Sequence, residues 1–328
     1  MEKISVIGDG GWGTALALLL VSRGVDTTLW SVSPEYAQVL RDKRENPKFL
    51  KGVELPPELR ITSDEARAAE SDHAVIAVPC EYLREVLARF GRYSFGYVVS
   101  ATKGIEVGSL KRPSEILSEY FTGSDISVVS GPSISYEVAR GYPTTVVLAS
   151  GEPSREKARD LLMTEMFRVY TSDDVPGVEL GGALKNVIAI AAGISDGLGF
   201  GANSKAALLT RGLAEISRLG RALGAKASTF SGLSGMGDLA TTCISTHSRN
   251  RWFGEEIGKG KDPSELLSST EMTVEGYRTA RSANELSLRH GVDMPIIRKV
   301  YEVLYEGKDP SVAVRELMTR DPRDEDHT

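Results

Sequence analysis

Several things are scarce in this chain, and each scarcity excludes something. Among 328 residues there are two cysteines, Cys80 and Cys243, far apart in sequence. Two isolated thiols make neither a disulfide framework nor a zinc-binding spacing. The four histidines (His73, His247, His290, His327) are scattered, so no metal site is expected. No uninterrupted apolar run reaches the ~18 residues of a membrane span. The N-terminus passes from Met1-Glu2-Lys3 straight into a strand-like run, without the segments of a secretory signal. Surplus positive charge is missing too: the formal net charge is −6. Nucleic acid is therefore not an expected partner, and a bound anion must rely on a local cluster of cations. The expected setting is a reducing cytoplasm, with no stable membrane insertion.

The length suggests about two domains, and the composition is that of a globular protein with a large core. Lys3–Ile7 is β-rich and leads into Gly8-Asp9-Gly10-Gly11-Trp12-Gly13, then into the apolar run Thr14–Leu20. This is strand, Gly-x-Gly-x-x-Gly, helix. Gly8 permits the tight turn, Gly10 lets the backbone approach a pyrophosphate, and Gly13 lets helix and strand pack closely. The helix N-terminus offers its free N–H groups to the phosphates. A second strand is expected at Val25–Trp30, and its end should read the adenosine ribose. An acid there favours NAD and an Arg favours NADP. Here Ser31-Val32-Ser33-Pro34 supplies neither, so the cofactor is NAD or NADP.

Further strands are expected at Asp72–Val78, Tyr97–Ala101, Ile126–Ser130, Pro143–Ser150 and Phe167–Tyr170, with helical stretches between several of them. Asn46–Pro57 reads as an irregular surface excursion. Such alternation predicts an α/β, Rossmann-like, doubly wound and mostly parallel sheet. Its ligands should lie beyond the carboxyl ends of the strands, where Lys103 and the Gly131-Pro132-Ser133 turn fall. From Val178 to about Leu317 the periodicity is helical. We therefore expect a dinucleotide-binding domain over 1–178 and an all-helical C-terminal domain over 179–328. Arg320–Thr328 is charged and expected to fray.

In the second half, residues 181–193 form a helix with almost no polar side chains besides Lys185 and Asn186. A helix apolar on most faces is usually buried, and desolvation lowers a lysine's pKa. That suits a proton donor to a carbonyl oxygen. The alternative is that Lys185 snorkels to the surface while Asn186 caps a neighbouring turn. Ser195–Gly201 reads as a glycine-rich break. In the helix expected at Ala206–Leu223, Arg211, Glu215 and Arg218 read as a solvated face. Ser231–Asp238 reads as a loop whose Asp238 could N-cap the next helix. Ser248-Arg249-Asn250-Arg251 is the most phosphate-like cluster of this half; two surface arginines in a Ser/Asn turn are the alternative.

Taken in order, several stretches resemble the bacterial NAD(P)-dependent glycerol-3-phosphate dehydrogenase family over nearly the whole chain. They are Gly8–Ala17, Val78-Pro79, Ala101–Glu106, Ser130–Ser133, Val178–Asn186, Gly235–Leu239, Ser248–Arg251 and Val274–Gly276. The resemblance implies that Lys185 is the proton donor and acceptor and that Lys103 contacts substrate and cofactor. It implies that Gly131 and Ser133 line the substrate, and that Asp238, Ser248, Arg249 and Asn250 complete its site. For the cofactor it implies Gly11, Trp12, Ser135, Arg249, Thr273 and Glu275. A further cofactor position of the family, often His or Arg, is here Val32. The implied substrates are dihydroxyacetone phosphate and sn-glycerol 3-phosphate, and the implied setting is a cytoplasmic, often dimeric enzyme feeding phospholipid synthesis. A β-hydroxyacid dehydrogenase is the nearest rival, but its lysine is typically followed by Asn four residues later, where this chain has Ala189. A nucleotide-sensing regulator without turnover is the rival from another class.

Overall fold

The strands of the first half read as nearly unbroken apolar runs, which is the pattern of a sheet covered on both faces. The computed structural model describes residues 2–151, 154–322 and 324–325. The chain divides into two compact units. The first is Met1–Thr102 with Pro113–Val175, and the second is Lys103–Arg112 with Pro176–Thr328.

In the first unit the strands are β1 (Lys3–Ile7), β2 (Asp26–Trp30), β3 (Glu45–Asn46), β4 (Leu50–Glu54), β5 (Arg60–Thr62), β6 (His73–Ile76), β7 (Tyr97–Ser100), β8 (Asp125–Ser130), β9 (Thr144–Ala149) and β10 (Phe167–Ser172). Its helices are α1 (Gly11–Ser22), α2 (Pro34–Lys43), α3 (Glu65–Ala68), α4 (Leu83–Phe90), α5 (Pro113–Tyr120), α6 (Ser135–Ala139) and α7 (Ser154–Leu162). Eight strands form one sheet in the order β10-β9-β8-β7-β6-β1-β2-β5. Every pair is parallel except β8 with β9. Successive side chains alternate between two cores. Ile4, Val6, Val75 and Val99 face one, and Ile7, Ala74, Ile76 and Val98 face the other. The chain leaves β1 toward β2 and later returns to the other side of β1 at β6. That reversal is where doubly wound sheets bind ligands, and the glycine turn lies there.

The stretch from Asn46 to Pro57 is not the irregular excursion expected from its prolines. It holds the β3–β4 hairpin, with Asn46, Leu50 and Leu55 buried. The reason is the Asn46 side chain, which donates to the Asp9 carbonyl and to Thr14 Oγ1 (both 2.8 Å) and accepts from Tyr36 Oη and the Phe49 amide. It pins the hairpin to the glycine turn.

The second unit is helical: α8 (Val175–Gly197), α9 (Ala202–Ala222), α10 (Ala227–Phe230), α11 (Asp238–Ile244), α12 (Arg249–Gly258), α13 (Pro263–Ser269), α14 (Glu275–His290), α15 (Pro295–Tyr305) and α16 (Pro310–Met318). Helix α8 is buried without interruption from Gly177 to Ser195. By length and composition it is apolar enough to cross a membrane, although Glu179 and Lys185 interrupt its apolar run, and its most apolar window is wholly buried. It also runs through the expected glycine break as far as Gly197. Its glycines are contact points: a Cβ on Gly193 would lie 2.0 Å from the Arg251 carbonyl of α12, and one on Gly254 of α12 would lie 2.1 Å from the Ile190 carbonyl. The two backbones touch because neither carries a side chain there.

Glu215 departs from the solvated face expected of α9. It is 2% exposed and accepts the Ile296 and Ile297 amides at 2.7 and 3.1 Å, so it caps α15. Burial pushes its carboxyl up to about 7, although these two amides favour the charged form. At the C-terminal end Arg320 is held by Asp293 at 2.7 Å; residues 323 and 326–328, and with them His327, lie outside the described residues.

Candidate active site

The second unit assembles its charged centre around Lys185. This side chain is 8% exposed. Its Nζ donates to Thr242 Oγ1 at 2.6 Å and meets Asp238 Oδ1 at 2.7 Å. Lys103 Nζ meets the other carboxylate oxygen, Oδ2, at 2.5 Å, with the Lys103 side chain 18% exposed. One carboxylate thus bridges two ammonium groups. Thr242 donates to the Asp238 carbonyl at 2.7 Å, which orients its oxygen to accept from Lys185. The snorkelling alternative for Lys185 is overturned, because the amine points into the unit and is paired there.

The electrostatics follow from burial. Desolvation lowers the Lys185 pKa to about 8; Asp238 pulls it up, and Lys103 pushes it down. Burial alone would raise Asp238, but Lys103 and Lys185 outweigh it and hold the carboxyl below its ordinary value. A carboxylate that stays charged beside an amine titrating near neutrality suits proton exchange. Nearby, burial pushes the Cys243 thiol up to about 12, so it stays neutral.

Why Lys103 reaches Asp238 is a matter of tethering. The segment Lys103–Arg112 is held to the helices at two points. Ser282 Oγ donates to the Ile105 carbonyl at 3.0 Å, and Arg112 pairs with the buried Glu179 of α8 at 2.6 Å. Asp238 does not N-cap a helix as its position suggested. Leu233–Gly237 is a π-helical turn, not the expected loop, and runs directly into α11. Asp238 is the first residue of α11, its cap position is taken by Gly237, and its carboxylate is committed to the two lysines.

The phosphate-like cluster sits at the start of α12. Ser248 is its N-cap and accepts the Arg251 amide at 3.2 Å. Arg249 is exposed in the first turn, within the field of Glu275. Asn250 is buried; it donates to Asn186 Oδ1 at 3.0 Å and accepts the Gly276 amide at 2.8 Å. Asn186 therefore holds α12 instead of capping a turn. Arg251, counted with the cluster in the sequence, is turned away to Asp196 at 2.7 Å. Glu275 opens α14, with Thr273 two residues before it and half-buried.

In the first unit the glycine turn has the geometry its spacing predicts. Gly8 has φ +116°, and a Cβ there would lie 2.6 Å from the Ala77 carbonyl at the end of β6. A Cβ on Gly13 would overlap the Gly8 carbonyl at 1.9 Å, whereas one on Gly10 would meet nothing within 4 Å. The close contacts lie inside the fold, and the open side is at the α1 N-terminus. That N-terminus has no side-chain cap and no acid in its first turn, so its amides are left for an anion. Trp12 carries a buried indole N–H with no partner among the described residues. Ser135 borders the turn, its Oγ 3.6 Å from where a Gly11 Cβ would be. These features fit a dinucleotide pyrophosphate. Past β2, Ser31 Oγ donates to Asp9 Oδ2 at 2.5 Å and Val32 is exposed. Gly131 has φ +144° and packs on β9, and Ser133 Oγ donates to its carbonyl at 3.0 Å.

Sequence reasoning missed Thr242, Asn46 and the Arg112–Glu179 pair. Thr242 has no local signal. Glu179, an acid inside an apolar helix, was a signal that could have been used.

Comparison with known proteins gives a consistent result. Residues 3–156 match the N-terminal model of NAD-dependent glycerol-3-phosphate dehydrogenase, and residues 174–315 match the C-terminal one. The chain is 48% identical to the glycerol-3-phosphate dehydrogenase [NAD(P)+] of Pelodictyon phaeoclathratiforme, over 98% of this chain and 99% of the relative. It is 50% identical to that of Pelotomaculum thermopropionicum, over 97% and 93%. The crystal structure of glycerol-3-phosphate dehydrogenase from Coxiella burnetii superposes with a TM-score of 0.93 at 37% identity, covering 97% of this chain and 99% of that one. A ketopantoate reductase from Ralstonia eutropha, at 14% identity and a TM-score of 0.60, shares the fold alone.

Proposed function

The chain belongs to the NAD-dependent glycerol-3-phosphate dehydrogenase family, and on that premise we propose how its own residues carry out the reaction. The protein is an NAD(P)-dependent oxidoreductase that interconverts dihydroxyacetone phosphate and sn-glycerol 3-phosphate. The α1 amides at the glycine turn, with Gly11, Trp12 and Ser135, would hold the dinucleotide, which would supply or take the hydride at C2. The protein's task is the proton. As C2 is reduced, charge builds on its oxygen, and Lys185 delivers a proton there; in the oxidative direction its neutral form takes one. Such proton transfer is typically worth about 10²–10⁴-fold in rate.

Asp238 keeps the amine charged enough to donate, and Lys103 adds positive charge beside the developing oxyanion. Arg249 and the α12 amides behind Ser248 hold the substrate phosphate. Asn250 serves mainly by fixing α12 to Asn186 and the start of α14. The observation that carries this reading is the buried Lys185 amine held by Asp238 and Thr242 at 2.7 and 2.6 Å. We further propose that the first unit, Met1–Thr102 with Pro113–Val175, binds the nucleotide and that the second, Lys103–Arg112 with Pro176–Thr328 in place of the expected 179–328, binds the substrate, in a cytoplasmic homodimer whose product feeds glycerophospholipid synthesis.

Initial rates followed by nicotinamide absorbance test the assignment. Lys185→Ala should lower kcat by about 10²-fold or more at nearly unchanged KM. Arg249→Ala should mainly raise KM for the phosphorylated substrate, because it removes binding common to ground and transition states. Near-normal turnover by Lys185→Ala would remove this amine from the chemistry.

A further inference from the structure

Away from the Lys185 cluster, the second unit contains a cavity of about 710 Å³ among α8, α9, α15 and α16. That size lies within the range of ligand pockets, roughly 300–1,000 Å³. Most of its wall is apolar, with Ile194, Leu208, Val300 and Val314 among the lining residues. Two observations point to a ligand. The first is the lining itself: apolar side chains from α8, α9, α15 and α16 line a space of ligand size.

The second is the distribution of charge. Among the described residues, four cations and three acids line the cavity. Lys299 is spent on Glu302 and Glu316, and Arg320 on Asp293. Glu215 turns its oxygens to the α15 amides, and Asp321 lines the cavity but is exposed to solvent. Arg211 and Arg218 remain. Each gives one N–H to a carbonyl, of Glu325 and Asp293 respectively, and neither forms an ion pair among the described residues. A guanidinium has five N–H donors, so both keep several. Leu208, Arg211 and Arg218 share one face of α9. The cavity wall therefore changes from apolar to cationic over about 15 Å of helix.

We propose that this cavity is a second ligand site, taking a single-chain amphiphile whose apolar tail lies along Ile194, Leu208, Val300 and Val314 and whose anionic head is held by Arg211 and Arg218. The head is a phosphate or a carboxylate, since a guanidinium grips either bidentately.

Calorimetric titration of the full chain, below the micellar concentration of each probe, tests this. Dodecyl phosphate and dodecanoate are the two anionic arms, and the stronger binder identifies the head. Decyl and octyl homologues follow the tail, and dodecyltrimethylammonium supplies the same tail with the opposite charge. The expected result is one saturable site per chain, weakened about fourfold for each methylene removed. Arg211→Gln with Arg218→Gln should weaken it by about tenfold or more. Neither arginine belongs to the Lys185 cluster, so retained glycerol 3-phosphate oxidation shows that this variant is folded. Absence of saturable binding overturns the proposal. So does equal binding of the cationic amphiphile, or unchanged affinity in the double variant. If instead Ala207→Trp, which narrows the cavity mouth, converts a dimer to a monomer in light scattering while the wild type takes up neither anion, a second copy of the chain is the occupant and the proposal fails.

Discussion

Replacing Asp238 by Asn separates the proton chemistry from mere structural damage. At the observed 2.7 Å, an effective dielectric of about 20 gives an attraction of roughly 6 kcal/mol between the carboxylate and the Lys185 ammonium. The amide oxygen of Asn still accepts a hydrogen bond, so the working figure is the shift that an opposite charge at this range usually causes, about one to three pKa units. Lys103 keeps pushing in the same direction. Lys185, about 8 in the wild type, should then titrate near 6, taking about two units as the shift. At about pH 7.5 its protonated fraction falls from about three-quarters to about 3%, so ketone reduction slows about 25-fold from this cause alone. The assay is kcat for dihydroxyacetone phosphate reduction across pH. In the wild type the rate should fall as pH rises through about 8, because the donor loses its proton; in Asp238→Asn the fall should move about two units toward acid. Glycerol 3-phosphate oxidation should show the mirror image, rising through the same midpoints. Loss of a buried partner also costs stability, about 3–5 kcal/mol, but lost folded enzyme lowers the whole profile without moving its midpoint. An unmoved midpoint in both directions would refute the assignment of the proton to Lys185.

Three further outcomes follow from packing and charge. Glu215 has a carboxyl raised from 4.5 to about 7. The folded state therefore binds the extra proton, and this stabilisation, complete below about pH 4.5, is lost as pH rises through about 7. In Glu215→Gln that component disappears, so the wild-type-minus-variant stability from urea melts should drop by up to about 3 kcal/mol between pH 4.5 and 7.5; a flat difference contradicts the burial argument. Asn46→Ala removes four hydrogen bonds, two of which join the hairpin to the glycine turn and α1, one to Tyr36 of α2 and one to the Phe49 amide. It should cost about 2–4 kcal/mol and weaken NADH binding in a fluorescence titration, while leaving the pH midpoint of turnover in place. Gly193→Ala puts a methyl 2.0 Å from the Arg251 carbonyl, and α12 must move; a loss of about 1–3 kcal/mol or more is expected, read as a lower Tm, with KM for the phosphorylated substrate raised because Arg249 rides on that helix.

Some parts of the molecule are legible from neighbouring residues alone. A strand, three spaced glycines and an apolar helix describe a dinucleotide turn; Gly13 answers a demand inside the motif, the Gly8 carbonyl, whereas Gly8 answers one set by Ala77 across the sheet. The parallel sheet is legible from apolar runs bounded by turns, since both faces are covered. Prolines misled the reading of residues 46–57, where one asparagine with four bonds outweighs local propensity. Glycines misled it at residues 195–197, where the absence of side chains serves close helix contact and does not end the helix. Glu215 was misread because its spacing on α9 resembles that of a surface residue, and its cap partners are in α15.

By itself, then, the order of residues determined the two-part plan, the nucleotide turn and the helix that carries Lys185, because apolar periodicity and glycine spacing signal each of them. Only the tertiary structure decided what that lysine is. Its lowered pKa depends on burial and on Asp238, and that carboxylate in turn binds Lys103, 135 residues away in the chain. Charge states are set by surroundings in space, and no local spacing specifies which distant groups will share one dry site.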